Sequence, residues 1–259
     1  MHVALRVAYD GTRFQGLARQ PDGNTIEDAL LVALRQEGYV EGTLRCGSRT
    51  DAGVSATMNV LATQLDRPHL RGLVPALAKH LPDGLWVTGV AEVSPDWNVR
   101  HASSRTYHYL ARRQQEDADV LEAACRAFEG THDFRAFARI EDRNPERPIQ
   151  RFVVTALDDM WRFEVQAPGF LWNQVRRMVD AALAVGQGRA SPADIRQSLA
   201  SGQPHGAFAV APAAGLYLHH VAYDPEPAWQ GALSDGRAWK ARQAAAVRNV
   251  VASSLSESS

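Results

Sequence analysis

An arginine and an aspartate separated by one residue, on a stretch bounded by glycines, give this chain its clearest capacity for chemistry. The stretch is Arg45-Cys46-Gly47-Ser48-Arg49-Thr50-Asp51-Ala52-Gly53-Val54-Ser55-Ala56. Asp disfavours strand interiors, and Gly47 and Gly53 supply the backbone freedom of a turn. A carboxylate on a tight turn, with a guanidinium in reach, can stay ionised and act as a nucleophile. The same residues also fit an Asx-turn with a surface ion pair, so the turn alone names no reaction. Neighbouring signals narrow the field. Gly11 to Gly16 has the glycine spacing of a phosphate loop, but Leu17-Ala18 stands where Lys-Ser/Thr is required. Gly186-Gln187-Gly188 follows a helical pattern and lacks the third Gly of a dinucleotide fingerprint. The nine His show no zinc spacing with Cys or acidic residues. Cys46 is an alternative nucleophile, although a small strand residue in the core is the commoner role.

The elements that must position Asp51 are legible on both sides of it. Val3 to Ala8 alternates as a strand, and Thr25 to Glu37 opens on a Thr cap with helical spacing of Ile26, Ala29, Leu30 and Ala33. Gly42 to Cys46 and Met58 to Leu65 flank the Asp turn as strands. Leu70 to His80 reads as a helix stopped by Pro82, and Leu85 to Val93 as a closing strand. Strand, helix, strand, strand, helix, strand is the ferredoxin-like order. The second half repeats it with insertions. Arg105 to Ala111 is a strand and Ala118 to Phe128 a helix; Arg151 to Leu157 and Trp161 to Ala167 form a hairpin around Asp158-Asp159. Phe170 to Val185 and a segment begun by Pro192 are helices, and Gly215 to Tyr223 is the last strand. The expected fold is α+β, two ferredoxin-like halves with antiparallel or mixed sheets and a catalytic cleft between them. Residues 1–100 form the N-terminal half and 101–225 the C-terminal half. Residues 226–259 form an Ala/Ser-rich tail, partly disordered, with a marginal helix.

Composition is that of an ordinary globular chain: 259 residues, 45% apolar, 22% charged, net charge −1. No run approaches a membrane span, and the first residues alternate like a strand rather than a signal peptide. Two cysteines, Cys46 and Cys125, fit a reducing cytoplasm. Bulk charge does not announce a nucleic-acid binder, but all basic residues except Lys79 and Lys240 are Arg, which forks onto phosphate and stacks on bases. Arg135, Arg139, Arg143, Arg147 and Arg151 recur every fourth residue. Pro145 and Pro148 break any continuous helix there, and interleaved acids suit a salt-bridged loop as well as a phosphate-contacting one.

Four further segments stand in a telling order around the turn. Tyr9-Asp10-Gly11-Thr12-Arg13-Phe14-Gln15-Gly16, with Arg19-Gln20-Pro21 and Thr25-Ile26-Glu27, precedes it. Arg105-Thr106-Tyr107-His108-Tyr109 follows, then Phe170-Leu171-Trp172-Asn173-Gln174-Val175-Arg176-Arg177-Met178-Val179, then Ala211-Pro212-Ala213-Ala214-Gly215-Leu216-Tyr217-Leu218. Together they resemble the tRNA pseudouridine synthase A (TruA) family over residues 2 to about 224. The chain departs from the family pattern at Leu17-Ala18, where the family usually has Trp-Gln, and at Ser55, where it usually has His. Trp97-Asn98-Val99 and Asp180 are further departures.

The resemblance implies an isomerase that converts uridine to pseudouridine at positions 38 to 40 of the tRNA anticodon stem-loop. It works as a cytoplasmic homodimer, without cofactor or metal. Asp51 is then the catalytic carboxylate, ionised and shielded from water. Its desolvation calls for a cation, and Arg176 is the matching residue; an exposed Arg paired with Asp180 is the alternative, which the adjacent Arg177 fits better. Arg49 would support Asp51 and fill the gap left by a flipped nucleotide. Tyr107 would stack on the extruded uracil, and Leu216 and Leu218 would wall the pocket, a role that a packed strand core explains equally well. Arg13, Phe14, Arg19, Gln20, Arg100 and Arg105 are the candidate RNA contacts. Two other functions fit the same scaffold: a non-catalytic RNA-binding protein, and a pseudouridine synthase for a different RNA site.

Overall fold

The structure, a computed structural model, describes residues 1–21, 23–39, 43–66 and 70–231. The alternation at the N-terminus becomes β1 (His2–Tyr9), most of whose side chains are buried. Thr25 accepts the Asp28 N–H at 3.2 Å and caps α1 (Ile26–Gln36), as the capping signal predicts. After β2 (Arg45–Cys46) and β3 (Ser55–Gln64) comes α2 (Leu73–Ala78). This helix is shorter than its apolar spacing predicts, because Gly72 sits at φ +84° immediately before it and starts the helix anew. The strand β4 (Leu85–Glu92) closes the set. The spatial order β4-β1-β3-β2, antiparallel throughout, is the ferredoxin-like arrangement.

The later elements are β5 (Ser104–Arg112), α3 (Ala118–Arg126), β6 (Gly130–Asp133), β7 (Glu146–Ile149), β8 (Arg151–Leu157) and β9 (Met160–Ala167). They are followed by α4 (Gln174–Gly186), α5 (Pro192–Ser201) and β10 (Leu216–Ala222). Strands β5, β9 and β8 form an antiparallel run, and the expected hairpin closes where Leu157 faces Met160, with Asp158 at φ +46°. Ser191 and Asp194 form a reciprocal capping box at α5, with Pro192 in its first turn. The fold is α+β, as expected.

The chain divides into two compact units, Met1–Ser103 together with the strand from Tyr217 onward, and Ser104–Leu216. In the first unit β10 runs parallel to β3, with Tyr217 opposite Ser55 and Leu218 opposite Ala56. The second unit is built on phenylalanine. The rings of Phe128 and Phe137 lie 4.9 Å apart, those of Phe128 and Phe152 5.8 Å, and those of Phe152 and Phe163 6.1 Å. Such tilted and edge-on contacts add to the burial of each ring. Helix α4 covers this unit with Val175, Met178, Val179, Ala182 and Val185, all buried. It begins four residues later than its sequence period predicts: the Gln174 side chain accepts the Leu171 N–H at 2.8 Å, and Asn173 sits at φ +62°. Those features fold 170–173 into a turn instead of a first helical turn. The tail expected from residue 226 lies outside the described residues beyond Gly231. No helix among the described residues is long and apolar enough to cross a membrane.

Candidate active site

The Asp51 turn is held from beneath by a buried polar network. Asn59 is 0% exposed in the middle of β3. Its Oδ1 accepts from Ser48 N (3.3 Å) and Val60 N (2.8 Å), and its Nδ2 donates to Ser48 O (2.8 Å) and Tyr9 Oη (3.1 Å). Tyr9 Oη in turn shares a 2.7 Å hydrogen bond with Thr50 Oγ1. A register shift makes this geometry possible. Val7 faces Asn59, but Tyr9 faces Ala56, so β3 carries an extra residue just after the turn. Bulges of this kind re-aim side chains beside sites. The signal for Asn59 was present in the sequence as one polar residue inside the apolar run Met58-Asn59-Val60-Leu61.

The segment Tyr9 to Gly16 forms the other support. Gly53 N donates to Gly11 O (3.2 Å), Val54 N to Asp51 O (3.1 Å), and Leu17 N to Thr50 O (3.1 Å). Ser55 Oγ accepts the Gly11 N–H at 3.0 Å. Gly16, at φ +94°, lies so close that a Cβ would sit 3.2 Å from Thr50 O. At Gly11 a Cβ would come within 2.1 Å of Val54 O. Replacing Gly11 with alanine is therefore expected to lower stability by at least about 1–3 kcal/mol. The urea midpoint measures this, and an unchanged midpoint would show that the loop gives way without cost.

Above these supports Asp51 and Arg49 are both exposed. The shielding expected of the carboxylate is thus not seen in the single chain. Cys46 is half-buried, and burial pushes its thiol pKa up, which opposes a thiolate nucleophile. Leu17 and Ser55, two departures from the family pattern, are buried beneath the turn rather than displayed on the surface.

The second unit holds Tyr107, Arg176, Arg105 and Leu216. Tyr107 is buried on β5, its ring edge-on to Phe170 at 5.4 Å and 86°. Arg176 lies in the first turn of α4 and is half-buried, contrary to the exposed alternative. Its Nε donates to Ala211 O (2.6 Å) and one terminal nitrogen to Asn173 Oδ1 (3.1 Å), which fixes the direction of the guanidinium. Asp180 accepts the Ala209 N–H at 2.5 Å. Arg105 is buried, and its guanidinium donates to the Pro168 carbonyl. Leu216 is buried too, as is Leu218 in the first unit.

The other candidate RNA contacts separate by exposure. Arg13, Arg19, Gln20 and Arg100 are exposed, whereas Phe14 is 7% exposed and belongs to the core. Arg19 meets Asp28 at 2.7 Å, and Gln20 donates to Gln15 O at 3.0 Å. The four-residue Arg series is mixed: Arg135 pairs with Asp133 and Arg151 with Glu164, while Arg139 lies over the Trp172 ring.

Comparison with known proteins places the chain in a family. A family model described as tRNA pseudouridine synthase matches residues 124–224. The tRNA pseudouridine synthase A of Pyrococcus horikoshii is 36% identical over 225 residues, covering 86% of this chain and 85% of its own length. That of Thermococcus kodakarensis is 36% identical over 230 residues with the same coverage. That of Methanosarcina mazei is 36% identical over 236 residues, covering 88% of this chain and 87% of its own length. With such identity across almost nine-tenths of its length, this chain belongs to the tRNA pseudouridine synthase family, whose members are isomerases.

Proposed function

We propose that this protein isomerises uridine to pseudouridine in the anticodon stem-loop of tRNA, at positions 38 to 40, with Asp51 as the catalytic carboxylate. The observation that carries the reading is the exposed Asp51 on a turn braced by Tyr9, Thr50 and Asn59. In the reaction the ribose C1′–N1 bond breaks and a C1′–C5 bond forms. The proton on C5 is lost and N1 ends protonated, so there is no net redox change or hydrolysis. Asp51 attacks the nucleotide or removes a proton at the ribose. Either role needs the ionised form and the exclusion of water. Because the carboxylate is exposed in the protein, the bound RNA is what covers it.

The target base must leave its stack before it can react. In this reading Tyr107 stacks on the extruded uracil, Arg49 fills the gap left in the stem, and Leu216 and Leu218 line the pocket. The guanidinium of Arg176, aimed by Asn173 and Ala211, supplies the cation that keeps a covered carboxylate charged. Arg13, Arg19, Gln20 and Arg100 contact the backbone of the RNA. Arg105 and Phe14 support the fold of those contact surfaces from inside. The chain acts as a cytoplasmic homodimer, its N-terminal half carrying the Asp turn and its C-terminal half the stacking Tyr and the Arg.

Tritium release from tRNA transcripts labelled at uridine C5 tests the assignment. Wild-type protein is expected to release tritium, and changing uridines 38, 39 and 40 to cytidine is expected to remove that release. Undiminished release from the changed transcripts would move the activity to another site.

A further inference from the structure

Among the described residues, four large hydrophobic side chains stand out as exposed: Val32, Val120, Leu157 and Trp172. Trp172 is the one aromatic in that group, at 40% exposure. Its setting is rigid. Arg139 N donates to Trp172 O at 2.9 Å in a two-residue antiparallel bridge, Leu171 beside it is buried and capped by Gln174, and Asn173 after it begins α4. The Arg139 guanidinium lies 4.1 Å from the centre of the indole. Several exposed arginines in this unit pair with acids, Arg126 with Glu122, Arg135 with Asp133 and Arg151 with Glu164, whereas Arg139 and Arg113 each lie over an indole, Arg113 over the buried Trp161. Arg139 is the one that rests on an exposed ring, and among the described residues it makes no ion pair with an acid.

The same short segment carries Phe170, packed edge-on to Tyr107, and leads into Arg176. Trp172 therefore shares a rigid backbone with the residues assigned to the reacting nucleotide. A partly exposed flat ring on an anchored backbone, with a guanidinium over one face, fits the chemistry of an unstacked nucleobase and its phosphate. Every base offers a π-face, and an adjacent arginine adds charge attraction to the polyanion.

Resting on the proposed activity, we propose that Trp172 and Arg139 form a stacking platform for an unpaired nucleobase of the RNA substrate other than the reacting uracil. The platform contributes to RNA binding and leaves the chemical step alone. Trp172→Leu keeps apolar bulk but removes the wide stacking face, while Trp172→Phe keeps an aromatic face. Trp172→Leu is expected to raise KM for tRNA roughly ten-fold with kcat within about two-fold, and Trp172→Phe to recover most of the loss. Arg139→Gln is expected to raise KM and to flatten the dependence of affinity on salt.

An unchanged KM in Trp172→Leu overturns the platform. So does a fall in kcat alone, which would mark a disturbed Arg176 helix. A change in molar mass by light scattering also overturns it, in favour of a second copy of the chain covering the tryptophan. Filter-binding affinity for the same transcripts is measured alongside. If wild-type protein releases no tritium, the proposed activity falls, and the binding loss in Trp172→Leu still decides the platform.

Discussion

Asp51→Asn is expected to reduce tritium release by on the order of 10⁴-fold or more while leaving the protein folded and able to bind RNA. The amide has nearly the shape of the carboxylate but can neither attack the nucleotide nor accept a proton from the ribose. Cys46 is a poor substitute nucleophile, since burial pushes its thiol pKa up. The fold has little reason to respond. Leu17 and Gly11 hold the turn through main-chain groups, Asp51 contributes its carbonyl to Val54, and Tyr9 and Asn59 act from below. The substitution leaves those main-chain supports in place, so its effect on stability is expected to be about 1 kcal/mol or less. Single-turnover tritium release and filter binding on the same preparation check both halves. Release within ten-fold of wild type would remove Asp51 from the catalytic role.

The second large effect is expected one layer below. Asn59→Leu should cost about 2–4 kcal/mol of stability, because it removes four hydrogen bonds made by a fully buried side chain to buried and half-buried groups. Ser48 loses partners for both its N–H and its carbonyl, and the Tyr9 hydroxyl loses a donor. Leucine is close to asparagine in size, so the loss comes from unmet hydrogen bonding more than from a cavity. Urea denaturation reads the change in midpoint. Activity at a temperature where the variant remains folded is expected to fall mainly in kcat, since the turn beneath Asp51 loosens. A midpoint within 0.5 kcal/mol of wild type would show that the network is not a support. The two variants thus separate: one removes chemistry and keeps the fold, the other weakens the fold that aims the chemistry.

Where local chemistry determines structure, the sequence was readable. Thr25 capped α1, Ser191-Pro192 opened α5, and the alternation of His2 to Tyr9 became a strand. The hairpin of β6 and β7 escaped notice because Pro148 lies within it, and proline is admitted to a strand where no ladder hydrogen bond is asked of its nitrogen. The start of α4 was misplaced because Leu171 and Val175 keep helical spacing through a turn that Gln174 and Asn173 create. The Asp turn was visible as a motif, but its supports were not. A sequence shows that Tyr9 and Asn59 are polar residues in strands; only the register shift between β1 and β3 explains why their side chains meet. The family resemblance puts Phe14 and Arg105 among the candidate RNA contacts, and a sequence does not show that both side chains are buried. Trp172 stood within a quoted motif with no role until its exposure and its arginine partner were visible.

Strand β3 pairs with β1 along most of its length, with β2 on one side and with β10 where it leaves the Asp turn. Opening any of those amides to solvent requires several neighbours to separate together. The Asp51 turn therefore leads directly into a strand paired on both edges, whose amides are expected to exchange slowly compared with those of helix ends and loops. In the proposed reaction the RNA would then meet a carboxylate already in place and do the moving itself.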